Sequence, residues 1–165
     1  MFLKLRSDLT LKLADIKLLL INAEGFSANG SGGGRIAPGN GNCVNELKDF
    51  EVECVAFSGS ASQDISTVAE NLGVVLYQGV SDNAGFYSKI KKEYSVRDSE
   101  VAFICRDNTD IPIIQKVSFS AVTPDAPLDV KKESYYASYG VGQRAVTEIA
   151  DLILRAKYYP NGWSE

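Results

Sequence analysis

Asn22 and Glu24 stand where this sequence is best placed to do chemistry. They follow an apolar run, Ile16 to Ile21, broken only by Lys17, and they lead into Gly25. Such a run, bounded by turn signals, predicts a buried strand of a parallel sheet. In open α/β sheets the ligand crevice lies just beyond the carboxyl ends of the strands, so the first polar groups after this strand face it. Glu24 carries a carboxylate suited to acid–base work, whereas the amide of Asn22 is uncharged and a far poorer nucleophile than a carboxylate. The chain has no His, which removes His general bases, His-based triads and most zinc sites. Its three cysteines, Cys43, Cys54 and Cys105, have no metal spacing and read as reduced thiols, which predicts a cytoplasmic location.

The elements that must position these groups follow from pattern. The chain has 165 residues, ordinary apolar content and a net charge of −4. That length suits one domain with its own core, and no repeat or linker divides it, so residues 1–165 are expected to form a single domain. With no basic stripe, nucleic acid is not an expected partner. No apolar run approaches the roughly 18 residues of a membrane span, and no long apolar core of a signal peptide is present, so no membrane association is expected. The segment Ser27 to Asn42, SANGSGGGRIAPGNGN, predicts a flexible glycine-rich loop over 27–42. It is not a phosphate cradle: no GxGxxG opens a helix and no Lys-Ser/Thr pair follows.

Further strands are predicted at Glu53–Phe57, Val74–Tyr77, Glu100–Cys105, Val117–Val122 and, at an edge, Tyr135–Ala137. Helices are predicted at Asp8–Ala14, Cys43–Asp49, Ser62–Leu72, Asp82–Tyr94, from Ile111, at Ala126–Glu133 and at Gly142–Lys157. The helix after Ser62 carries Ile65, Val68, Ala69 and Leu72 on one face and stops at Gly73; Ser81 or Asp82 caps the helix that follows. Lys89, Lys91 and Lys92 read as a solvated face. Short apolar strands alternating with helices predict an α/β fold, a Rossmann-like three-layer α/β/α sandwich with a mainly parallel sheet and right-handed crossovers.

The order of pieces is specific. One strand ends in N-A-E-G and another in S-G-S; YQGVSD, EVAFICRDNTDIPII, VSFSAVTPDAP and GVGQRAVTEI follow. This order resembles the haloacid dehalogenase superfamily, and within it the cap-less sugar-phosphate phosphatases of the 3-deoxy-octulosonate 8-phosphate type, over roughly Ile16 to Ala156. The resemblance implies a phosphatase fold without a cap domain. It also implies chemistry in which an Asp attacks phosphorus, a second Asp two residues on acts as acid and base, and Mg²⁺ neutralises the charge. A homo-oligomer is implied as well, a tetramer in the family, built through an inserted β-hairpin after the first motif. GGGRIAPGNGN offers few alternating β-formers for such a hairpin.

Carried over residue by residue, the pattern changes at the site. Asn22 occupies the nucleophile position and Glu24 the acid/base position, longer by one methylene. Ser58 keeps the phosphate-binding hydroxyl, with Gly59 beside it, while Asn83 stands at the phosphate-holding Lys position. Cys105-Arg106-Asp107 replaces the GDD turn, so Arg106 stands for the usual metal ligand while Asp107 and Asp110 remain as candidate ligands. Arg106 is expected to pair with Glu24, Asp107 or Asp110, as a fixed cation in place of a metal.

The main expectation is therefore a non-catalytic pseudo-phosphatase without cofactor, a scaffold or regulator with a protein partner in sugar-acid metabolism. One alternative is an active Mg²⁺-dependent sugar-phosphate phosphatase with altered site residues. The other is a metal-free binder of small anions or sugar acids, using Ser58, Gly59 and nearby backbone amides.

Overall fold

The computed structural model describes residues 7–26 and 42–158. The predicted glycine-rich loop, up to residue 41, and the tail beyond Tyr158 lie outside them. Among the described residues the strands are β1 (Leu18–Asn22), β2 (Glu53–Phe57), β3 (Val75–Tyr77), β4 (Val101–Cys105), β5 (Phe119–Val122) and β6 (Tyr136–Ala137). They form one sheet in the order β3-β2-β1-β4-β5-β6, with every pairing parallel. Because β1 has β2 on one side and β4 on the other, the strand order reverses between β1 and β4. Ligand crevices of open α/β sheets form at such a reversal.

The helices are α1 (Ser7–Ala14), α2 (Asn42–Asp49), α3 (Gln63–Leu72), α4 (Asn83–Tyr94), α5 (Ile111–Ile114), α6 (Leu128–Glu133) and α7 (Gln143–Tyr158). Side chains along each strand alternate between two cores. Leu19, Ile21, Cys54 and Ala56 join Leu13, Leu47, Val68 and Ile149 from α1, α2, α3 and α7 on one face. Leu18, Leu20, Val55 and Phe57 join Tyr87, Ile90, Ile113 and Val130 from α4, α5 and α6 on the other. This is the three-layer sandwich, and it explains the unbroken apolar runs: β1 and β4 are buried at all five positions, with both faces covered.

The boundaries are set by local chemistry. The Ser62 side chain accepts from Ile65 N at 3.4 Å to start α3, and Gly73, at φ 82°, ends it in the left-handed region that suits glycine. Asp82 caps α4 by accepting from Gly85 N at 3.0 Å. Several predicted strands are shorter than expected: β1 starts at Leu18, β3 at Val75, β4 at Val101 and β5 at Phe119. Their predicted first residues lie outside the ladder: Glu100 ends the 3-10 turn Asp98–Glu100, and Ile16, Val74 and Val117 lie in irregular backbone leading into their strands. Lys91 is not simply part of a solvated face. Its Nζ pairs with Asp98 at 2.8 Å and lies 4.7 Å from the centre of the Tyr87 ring. Lys89 and Lys92 are exposed. No described helix is long and apolar enough to cross a membrane.

Candidate functional site

The carboxyl ends of β1, β2, β4 and β5 deliver the candidate residues to one edge of the sheet. Asn22 is the last residue of β1 and caps the 3-10 turn Ala23–Gly25. Its two amide ends have separate jobs. Oδ1 accepts from Glu24 N at 3.1 Å, and Nδ2 donates to Asp110 Oδ2 at 2.8 Å. A carboxylate could do the first of these but not the second.

Asp110 is fully buried and is the hub of the crevice. Its Oδ2 accepts from Asn22 Nδ2, from Arg106 N at 2.7 Å and from Asp107 N at 3.2 Å. Its Oδ1 accepts from Asn83 Nδ2 at 2.8 Å. Four N–H groups thus satisfy one carboxylate, and all are uncharged. Burial pushes the Asp110 carboxyl above its ordinary range, against the pull of the Arg106 backbone and Asn22 hydrogen bonds. Asn83, the first residue of α4, also donates to Thr109 Oγ1 at 3.0 Å, so its amide points into this network. Asp107 caps the turn Asn108–Asp110, accepting from Thr109 N at 3.0 Å and from the Thr109 hydroxyl.

Glu24 turns the other way. Its Oε2 accepts from Ser58 Oγ at 2.9 Å and from Gly59 N at 2.6 Å. The groups expected to hold a phosphate therefore hold a side chain of the same protein. Arg106 corrects a further expectation. Its guanidinium pairs with Asp125, Nη1 to Oδ2 at 3.0 Å, and not with Glu24, Asp107 or Asp110; only its backbone N–H reaches Asp110. Asp125 follows β5 and is steadied by Thr123 Oγ1 at 2.6 Å. Burial raises the Asp125 carboxyl, but the Thr123 hydroxyl and the Arg106 guanidinium outweigh it and hold the group below its usual range. The guanidinium also covers the loop after β1, because a Cβ added at Gly25 would stand 2.8 Å from Nη1.

The structure brings Asn22, Glu24, Ser58, Gly59, Asn83, Arg106, Asp107 and Asp110 to one edge and adds Asp125, Thr123 and Thr109, which the sequence reading did not single out. The available signal was position. VSFSAVTPDAP places Thr123 and Asp125 directly past a strand end, on the same side as the other candidates.

This arrangement has relatives. The 3-deoxy-D-manno-octulosonate 8-phosphate phosphatase of Escherichia coli is 27% identical over 92% of this chain and 86% of its own length. The crystal structure of the same phosphatase from Yersinia pestis superposes with a TM-score of 0.77 at 26% identity, covering 93% of this chain and 89% of that one. In sequence and fold the chain is similar to proteins of the haloacid dehalogenase superfamily. The similarity is to the 3-deoxy-D-manno-octulosonate 8-phosphate phosphatases. No family model matches the chain. A Moraxella catarrhalis structure of this phosphatase, solved with magnesium ion, phosphate ion and KDO, shares the fold at 22% identity with a TM-score of 0.77, covering 95% of this chain and 96% of that one.

A magnesium ion in such a neighbour raises the question of whether the residues of this haloacid dehalogenase-type crevice fit one. Mg²⁺ asks for oxygen ligands in near-octahedral array. Here both Asp110 oxygens are surrounded by N–H donors, Glu24 Oε2 faces Ser58 and Gly59, and Asp107 closes its own turn. A guanidinium stands beside the loop instead of a carboxylate. Among the described residues no three His, Cys, Asp or Glu side chains gather as a metal set. The donor set does not fit a divalent cation.

Proposed function

We propose that this chain is a pseudo-phosphatase: a haloacid dehalogenase-type protein that retains the fold and crevice walls of the sugar-phosphate phosphatases without their catalysis. Its role is then that of a scaffold or regulator, acting through copies of itself or through a protein partner in sugar-acid metabolism. One observation carries the reading. The amide of Asn22 stands at the nucleophile position with its nitrogen donated to the buried Asp110 at 2.8 Å. An amide so held has no carboxylate oxygen with which to attack phosphorus, and no charge with which to bind a metal. Without a metal or a Lys at position 83, the crevice lacks the two cations that supply most of the electrostatic stabilisation in phosphoryl transfer.

The alternative of an active enzyme would make Glu24 the nucleophile or base, with Asp107 and Asp110 as ligands. The hydrogen bonds of all three oppose it, since each carboxylate is already committed to N–H or O–H donors.

The test is a Mg²⁺-dependent phosphatase assay across sugar phosphates, including 3-deoxy-D-manno-octulosonate 8-phosphate. Release of phosphate at the buffer rate is the expected result, together with an unchanged melting temperature when Mg²⁺ is added. Turnover that disappears in Glu24→Ala would overturn the reading.

A further inference from the structure

We propose that the oxyanion seat of this crevice is closed from within by the carboxylate of Glu24. The inference builds on the non-catalytic reading of the same pocket and adds a reason for the pocket to exclude an anion. The seat is well formed. Ser58 is fully buried, and its backbone is fixed on both sides: Ser58 N donates to Tyr77 O at 2.9 Å, and Val80 N donates to Ser58 O at 3.0 Å. Ser60 N donates to Ser58 Oγ at 3.0 Å, and of the acceptors around the hydroxyl, Ser60 O at 3.3 Å, Ser60 Oγ at 3.1 Å and Glu24 Oε2 at 2.9 Å, the Glu24 carboxylate is the nearest and the charged one. The hydroxyl hydrogen and the N–H of Gly59 converge on one point, where Glu24 Oε2 lies at 2.9 and 2.6 Å. Two donors converging on a single oxygen are the elements of an anion nest, and charge-assisted bonds of this length are the strong ones.

The occupant is held in place as firmly as the seat. Glu24 N donates to Asn22 Oδ1, and Asn22 Nδ2 is tied to the buried Asp110. The closure is therefore the end of a relay that starts in the core at Asp110 and crosses from the β1 loop to the β2 loop. The side-chain length decides it. Glutamate extends one carbon–carbon bond, about 1.5 Å, beyond aspartate, and that extra reach carries Oε2 to Ser58 and Gly59. An incoming oxyanion would have to displace a carboxylate already bonded to both donors and then lie against its negative charge.

Calorimetric titration with inorganic phosphate, run on the wild type, Glu24→Ala, Glu24→Asp and the double variant Glu24→Ala/Ser58→Ala, tests the closure. The wild type is expected to give no binding heat at millimolar phosphate. Glu24→Ala and Glu24→Asp should each bind phosphate about tenfold tighter or more than the wild type, as expected when one charge-assisted pair is removed. The double variant should lose that gain. Circular dichroism checks the fold of each variant, and Glu24→Asp, which keeps the charge and loses only reach, serves if the Ala variant fails to fold. Equal phosphate affinity in the wild type and the folded single variants, whether strong or absent, would overturn the proposal, as would a gain that survives Ser58→Ala. These readouts involve no turnover. Hydrolysis of a sugar phosphate by the wild type would overturn both readings, whereas tight phosphate binding by an inactive wild type would overturn the closure alone.

Discussion

At the residue scale, Asn22 and Asn83 show how two amides can stand in place of a charged pair. The Asn22 oxygen caps the turn at Glu24 N and its nitrogen serves Asp110, while Asn83 serves the other Asp110 oxygen. Resemblance to the phosphatases places an Asp and a Lys at these two positions. Exchanging both for amides leaves the local charge unchanged and leaves Asp110 as the one buried carboxylate among neutral donors. Reversing a single exchange should therefore be costly. Asn22→Asp puts a second carboxylate 2.8 Å from Asp110 Oδ2 and removes a donor, which should lower stability by about 1–3 kcal/mol in urea unfolding at neutral pH. Adding Asn83→Lys should recover much of the loss, because the new ammonium faces both carboxylates. The two changes form a double-mutant cycle, and a coupling below about 0.5 kcal/mol would show that the positions act independently.

At the scale of elements, the crevice depends on how α7 meets the turn after β1. Gly142, just before α7, has φ 55°, and a Cβ there would stand 2.7 Å from the backbone oxygen of Gly25. Both the left-handed backbone and the close approach exclude a side chain. Gly142→Ala should cost about 1–3 kcal/mol, read as a lowered melting temperature, since the obstructing atom is backbone and cannot swing aside. A neutral result would mean that α7 is free to shift away from the loop. The Arg106–Asp125 pair, in contrast, is partly exposed, with side chains 29% and 46% accessible, and serves more to place a cation over Gly25 than to stabilise the fold.

At the scale of the whole molecule, a second charged knot holds the opposite end of the sheet. Glu100, just ahead of β4, accepts from Arg97 N at 3.0 Å and Arg97 Nη2 at 3.1 Å, and pairs with Lys17 at 3.3 Å. The Arg97 backbone and guanidinium, followed by Lys17, hold its carboxyl at about 2 against the usual 4.5. A depressed folded-state pKa stabilises the protein fully above the unfolded value, and that contribution is lost as pH falls from about 4.5 toward about 2. Acid unfolding should therefore steepen across that window, and Glu100→Gln should flatten it; an identical profile in the variant would refute the assignment.

The sequence by itself determined the layers. Runs such as LLLI and VAFIC are apolar throughout because both faces of the sheet are covered, and periodic faces such as Ile65, Val68, Ala69 and Leu72 could only be buried on one side. Caps at Asp82 and Gly73 were legible because they act over three or four residues. It also placed the candidate groups together at the strand ends, through the order of their motifs. Which group meets which was decided only by the tertiary structure. Glu24 meets Ser58 across 34 positions, Asn22 meets Asp110 across 88, and Arg106 chooses Asp125 across 19. Contacts of that separation depend on sheet order, register and side-chain reach, and local pattern encodes none of these.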